Sequence, residues 1–140
     1  MSEGAFSSLN LGLMTEDDPG AVFENRERLL AGLGVDATRA SMCRQMHGTT
    51  VSRADALGIE RPREHPERDG VWTDQPRESL LVLSADCLPI ALCRAGSPPA
   101  IAAVHAGGRG LIDGVLESAC VSLGDGRLAA SIGPSIGPCC

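Results

Sequence analysis

The chain has 140 residues, 43% of them hydrophobic, and a formal net charge of −6, which suits one domain with a real hydrophobic core and excludes a disordered chain. Two Phe, one Trp and no Tyr, on an acidic chain, argue against base-stacking platforms and polyanion-binding surfaces, so neither nucleic acid nor an anionic membrane is an expected partner. Six cysteines, with no secretory leader pattern and no apolar run of membrane-spanning length, point to reduced thiols in a cytoplasmic protein.

The first predicted element follows Asp17-Asp18-Pro19. Asp18 is placed to cap a helix whose first turn holds Pro19, and Val22, Arg26, Leu29 and Leu33 share one stripe that ends at Gly34. Residues 40–44 and 49–54 read as short strands on either side of Gln45-Met46-His47-Gly48. The charged, proline-containing stretch 58–69 predicts an exposed loop. Residues 79–85, 88–93 and 100–105 are apolar runs of strand length, expected to be buried on both faces.

Gly107-Gly108-Arg109-Gly110 then turns the chain into a second predicted helix over 111–123, and 127–132 forms a last strand. A Gly/Pro-rich stretch with adjacent thiols, Cys139 and Cys140, closes the sequence, while Cys43, Cys93 and Cys120 read as core residues. The pattern is α+β, a mostly β core with helices packed outside it.

Three metal-competent side chains stand at the ends of predicted strands, where a rigid scaffold presents reactive groups: His47, Cys87 and His105. Two imidazoles and one thiolate make a borderline-soft donor set that suits zinc and leaves a fourth position open. Zinc with one thiolate and two neutral histidines keeps about one positive unit, enough to polarise water or attract an oxyanion. Taken singly, each histidine also reads as a satisfied structural residue and Cys87 as a small core residue; spacings of 40 and 18 positions are nothing like a zinc finger.

Seven segments occur in order: Asn10-Leu11-Gly12-Leu13; Asp17-Asp18-Pro19 with Asn25-Arg26; Arg44-Gln45-Met46-His47-Gly48; Asp69-Gly70-Val71-Trp72-Thr73-Asp74-Gln75-Pro76; Ala85-Asp86-Cys87-Leu88-Pro89-Ile90; His105-Ala106-Gly107-Gly108-Arg109-Gly110; and Ile132 through Cys140. Together they resemble the laccase-domain family, once labelled multicopper polyphenol oxidases and now regarded as zinc-dependent purine nucleoside phosphorylases. The resemblance implies a layered α/β/β/α fold of the cysteine-hydrolase-like type, with a mixed β core. It implies a zinc held by His47, Cys87 and His105, with copper as the lesser alternative. It also implies phosphorolysis of adenosine, inosine and methylthioadenosine, with some adenosine deamination.

On that reading the partners are a purine nucleoside and phosphate. Arg109, at a helix start that favours anions, is a candidate phosphate contact and Arg44 a second, each with the alternative of a solvated surface charge. Asp86, beside a proposed ligand, is a candidate to orient His47 or His105, to protonate the departing base, or simply to shape a turn. For deamination the metal would activate water for attack on C6 of adenine.

The sequence departs from the family at Gly108, where a tryptophan is usual. Members also continue past the Gly-Pro-Cys-Cys segment, so the expectation is one domain over residues 1–140 that lacks the usual C-terminal part. Open strand edges in such a core would favour a homo-oligomer. Two other readings compete: a thiol hydrolase pairing Cys87 with His105 in peptidoglycan precursor editing, and an inactive zinc-binding fragment. Multicopper oxidation comes last, because a two-histidine, one-cysteine site lacks the ligands for a copper cluster.

Overall fold

Local chemistry is sufficient to start and stop the first helix. Asp18 Oδ1 accepts the Ala21 N–H at 2.9 Å, Pro19 occupies the first helical position, and α1 runs Pro19–Gly32. At the far end Val35 N–H returns to Leu30 O at 2.8 Å and Gly34 N–H to Ala31 O at 3.1 Å, the paired bonds of a Schellman cap. The structure, a computed structural model, describes residues 2–55, 57–59 and 65–137.

Seven strands follow: β1 (Ala40–Met42), β2 (Val51–Arg53), β3 (Gly70–Thr73), β4 (Ser79–Leu81), β5 (Leu88–Ala95), β6 (Ala100–Ala106) and β7 (Arg127–Ile132). β1 and β4 form a parallel pair, and the other five form a mixed sheet in the order β2-β3-β6-β5-β7. One face of that sheet buries Ile90, Leu92, Ala102, Val104 and Ala106 against Val115, Ala119 and Leu123 of α3 (Val115–Leu123). α1 contributes Leu30 to a second cluster with Ala40, Met42 and Ile59, over the β1-β4 pair. The fold is therefore a mixed α+β arrangement with few helices. No helix among the described residues is long and apolar enough to cross a membrane.

Four expectations need correction. The helix predicted over 111–123 is two helices, α2 (Gly108–Asp113) and α3, because Gly114 between them is left-handed at φ +99°. The run 79–85 is strand only as far as Leu81, and β3 is a strand that hydrophobic periodicity did not mark. The sheet is not buried on both faces: Ala91, Cys93 and Ile101 are exposed, so Cys93 is no core residue. β5 pairs antiparallel with both neighbours, and antiparallel sheets tolerate an open face. Finally, the stretch 58–69 is not wholly an exposed loop, since Ile59, His65, Arg68 and Asp69 are buried. Part of that stretch, like Cys139 and Cys140, lies outside the described residues.

Candidate metal centre

Sheet register decides what stands beside His105. β3 pairs antiparallel with β6, matching Gly70 to Val104, which brings Asp69 to the end of β6. The His105 N–H then donates to Asp69 O at 2.7 Å, and His105 Nδ1 lies 2.9 Å from Asp69 Oδ1. Both side chains are nearly sealed from solvent, at 3% and 1% exposure. With Nδ1 engaged, Nε2 is the nitrogen of His105 left to meet a ligand.

The same carboxylate shapes the turn that carries His47. Asp69 Oδ1 accepts the His47 N–H at 2.9 Å, and Oδ2 accepts the N–H groups of Met46 at 3.1 Å and Gly48 at 2.7 Å. His47 sits at φ +59°, a left-handed conformation that a histidine adopts at a cost and that the three bonds hold in place. Burial pushes the Asp69 carboxyl up, but the His105 hydrogen bond and the three amides outweigh it and keep it below the ordinary aspartate value.

Cys87 arrives from a third direction, on the bend before β5. Ser84 Oγ donates to the Cys87 carbonyl, and Gln45 clamps the approach by bonding Leu83 both ways, at 2.7 and 2.8 Å. Cys87 Sγ ends 3.8 Å from His47 Nε2, while the two imidazoles meet edge to face with centroids 4.8 Å apart. Among the described residues, His47, Cys87 and His105 form the one group of three or more such side chains whose ligand atoms could share an ion, all lying within 4.8 Å of one another. Ligands on tetrahedral zinc stand roughly 3.3–3.7 Å apart, so the donor set fits after a closure of about an ångström.

Two glycines make the crowding possible. A Cβ on Gly107 would stand 2.6 Å from His47 Cδ2 and 3.4 Å from Cys87 Sγ, and one on Gly110 would stand 2.6 Å from the Gly48 carbonyl. The glycine between them, Gly108, is different: it is exposed, and a Cβ there would meet nothing within 4 Å. The small residue at the usual tryptophan position is therefore not imposed by packing.

The remaining candidates lie outside this cluster of contacts. Arg109 stands on α2 with its side chain 82% exposed and pairs with Asp113 at 3.5 Å. Arg44 is exposed and pairs with Glu67 at 3.3 Å, across an isolated bridge between the two residues. The Asp86 carboxyl is exposed without a hydrogen bond or ion pair among the described residues, although its carbonyl accepts the Ile136 N–H at 2.9 Å. The carboxylate bonded to a site histidine is Asp69, which the sequence reading had only as part of a motif. Its signal was its place immediately before a glycine and a short β-prone run, Gly70-Val71-Trp72-Thr73, visible only once that run is recognised as a strand.

Known proteins share both the sequence and this fold. A family model described as multi-copper polyphenol oxidoreductase laccase matches residues 1–140. A purine nucleoside phosphorylase of Pseudomonas aeruginosa is 43% identical over 141 residues, covering 99% of this chain and 54% of that protein. The Escherichia coli purine nucleoside phosphorylase YfiH is 38% identical over 136 residues, covering 95% and 53%. Among solved structures, a Bacillus licheniformis hypothetical protein YfiH aligns with a TM-score of 0.90 at 28% identity, covering 99% of this chain and 56% of that one. A Neisseria meningitidis protein aligns at 0.82 and 34% identity, covering 97% and 54%. The chain thus spans about half the length of the curated relatives it matches. Since the family model extends over the whole sequence and the relatives agree with it in both sequence and fold, the chain belongs to the multi-copper polyphenol oxidoreductase laccase family.

Proposed function

We propose that this chain carries the metal site of a purine nucleoside phosphorylase and that the metal is zinc. The observation that carries the reading is the convergence of His47, Cys87 and His105 from three separate segments, joined to the names of the curated relatives. The donor set favours zinc over copper, since a single cluster of two imidazoles and one thiolate suits a closed-shell borderline ion and falls short of a multicopper array. The proposed arrangement is the layered α/β/β/α type, a reading supported by the mixed α+β fold with its two sheets and by the helices packed on them.

In the reaction a phosphate oxygen forms a bond to C1′ of the nucleoside as the C1′–N9 bond breaks, and the departing purine takes a proton. Bound zinc supplies a positive charge that attracts the phosphate. Arg109 is free to swing from Asp113 and take two phosphate oxygens, because an exposed ion pair of this kind holds its partners weakly. Arg44 is the second proposed phosphate contact. Asp86 beside Cys87 is the proposed proton donor to the base. Adenosine, inosine and methylthioadenosine are the proposed substrates, with deamination of adenosine as a side reaction and a cytoplasmic setting.

Chromatography of adenosine incubated with zinc-loaded protein tests this. The expected result is adenine and ribose 1-phosphate that appear only with phosphate. Folded, zinc-loaded protein that yields neither would remove the proposed activity from this chain and leave a zinc-binding domain.

The contact of Cys87 Sγ with His47 Nε2 also admits a second reading, a thiol hydrolase in which His47, and not His105, is the nearest imidazole. Alkylation separates the two. With zinc as the occupant, iodoacetamide is expected to modify Cys87 only after the metal is stripped. Cys43 serves as the internal reference: burial pushes its thiol up to about 11, so it stays protonated and slow to react at neutral pH. Equal labelling of Cys87 with and without zinc would speak for the free nucleophile.

A further inference from the structure

Asp69 makes four hydrogen bonds, two on each oxygen. Oδ1 takes the N–H of His47 and the Nδ1 side of His105, while Oδ2 takes the N–H groups of Met46 and Gly48. These groups come from two segments 22 and 36 positions away in sequence. An ionised carboxylate is acceptor-only, with about four lone-pair sites. A carboxylate held below its ordinary value has no proton to donate, so His105 Nδ1 is the nitrogen that carries one.

We propose that Asp69 is the positioning residue of this site: it holds His105 as the Nδ1–H tautomer, leaving Nε2 as the ligating atom, and it holds the left-handed turn that aims His47 Nε2 at the same point. The proposal rests on the metal-centre reading above and adds what organises it. Three features separate this from an ordinary buried pair. The acceptor reaches three consecutive amides, a nest that would otherwise face an anion from solution. The turn it closes contains a histidine at φ +59°, a conformation that needs an external restraint. And the backbone of Asp69 is itself held at both ends, since its N–H donates to Thr50 O at 2.8 Å and its carbonyl accepts from His105 at 2.7 Å. One carboxylate thus bonds one imidazole and the turn that carries the other, while Cys87 is placed by the bend before β5.

Asp69→Asn is the informative variant, because it is nearly isosteric yet cannot replace the pattern. With the NH2 group in the Oδ2 position the Met46 and Gly48 bonds are lost; in the Oδ1 position the His47 bond is lost and His105 keeps its contact only as the Nε2–H tautomer. The 140-residue chain, metal-free and ¹⁵N-labelled, is to be studied at about pH 8, above the usual histidine range. Long-range ¹H–¹⁵N correlations are expected to show a single Nδ1–H tautomer for His105, and a mixed or Nε2–H state in Asp69→Asn. Zinc titration against a chromophoric chelator is expected to show binding weakened about 10–100-fold in the variant.

An Nε2–H tautomer in the unsubstituted protein would overturn the proposal, and that measurement stands even where the variant does not fold. So would a folded Asp69→Asn protein with undiminished zinc affinity and an unchanged tautomer. A chain that binds no zinc but shows the Asp69-dependent tautomer would sink the metal reading and leave the positioning role intact, so the two failures are distinguishable.

Discussion

Gly107→Ala is expected to weaken zinc binding about 10–100-fold, as loss of a ligand-orienting contact does in metal sites, while the fold survives. The new Cβ would stand 2.6 Å from His47 Cδ2, closer than carbon atoms approach, and 3.4 Å from Cys87 Sγ. The nearest atom belongs to a side chain half-open to solvent, so the cheapest relief is rotation of the imidazole. Rotation carries Nε2 away from Cys87 and His105, and the donor set no longer closes on one point. Because the strain is relieved locally, the thermal midpoint should fall by only a few degrees. Gly110→Ala supplies the contrast. Its Cβ would meet the Gly48 carbonyl at 2.6 Å, and a backbone atom cannot swing aside. There the cost is expected in stability, about 1–3 kcal/mol, with α2 displaced from the His47 turn. Isothermal zinc titration and thermal unfolding of both variants read the two effects apart. A Gly107→Ala protein with unchanged affinity would show that His47 does not need its present orientation.

The largest expected loss of stability is at Arg68. Its side chain is 1% exposed, and Nη2 donates to Met42 O at 2.9 Å and meets Asp55 at 3.0 Å. Nη1 donates to Arg53 O at 2.9 Å and to Ser52 Oγ at 3.0 Å. One guanidinium therefore ties the end of β1 to β2 just before the chain turns to present Asp69. Arg68→Ala would leave two carbonyls without their donors, a cavity in place of a long side chain, and Asp55 without its cation. These together put the loss at about 3–5 kcal/mol, or roughly 10–20 °C in thermal midpoint. Arg28→Ala is the matched control: its pair with Glu24 is about half exposed, and such pairs contribute less than about 1 kcal/mol. Urea unfolding of the two variants measures the difference. An Arg68→Ala protein as stable as Arg28→Ala would mean that the buried network is dispensable. Zinc affinity should also decline in Arg68→Ala, since the segment that carries Asp69 loses its anchor.

Features written in short stretches of chain were legible without coordinates. The Asp18 cap, the first-turn Pro19 and the Gly34 stop set both ends of α1 through bonds spanning a few residues. β7 occupies the very span, 127–132, predicted for the last strand. His47, Cys87 and His105 stood out because their chemistry is rare in company and each follows or precedes a strand. The ordered motifs then pointed to one family, to which the chain belongs.

What adjacency suggested beyond that was incomplete. Asp86 drew attention by standing next to Cys87, yet the carboxylate that holds His105 is Asp69, 36 positions away from it. No local signal carries that pairing, which follows from the register of β3 against β6. Arg68 looked like one more charge in a polar loop and is among the most buried side chains, because its partners are carbonyls on two strands that only the fold assembles. The open face of the sheet was likewise invisible, since an apolar run reads the same whether one face or both are covered. The sequence by itself determined the ends of α1, the span of β7, the family and the three candidate donor side chains, because capping, periodicity and residue chemistry act within a few positions. Only the tertiary structure decided which carboxylate bonds His105, which arginine is buried and where the glycines admit the imidazole, because those depend on strand register and on contacts between residues far apart in the chain.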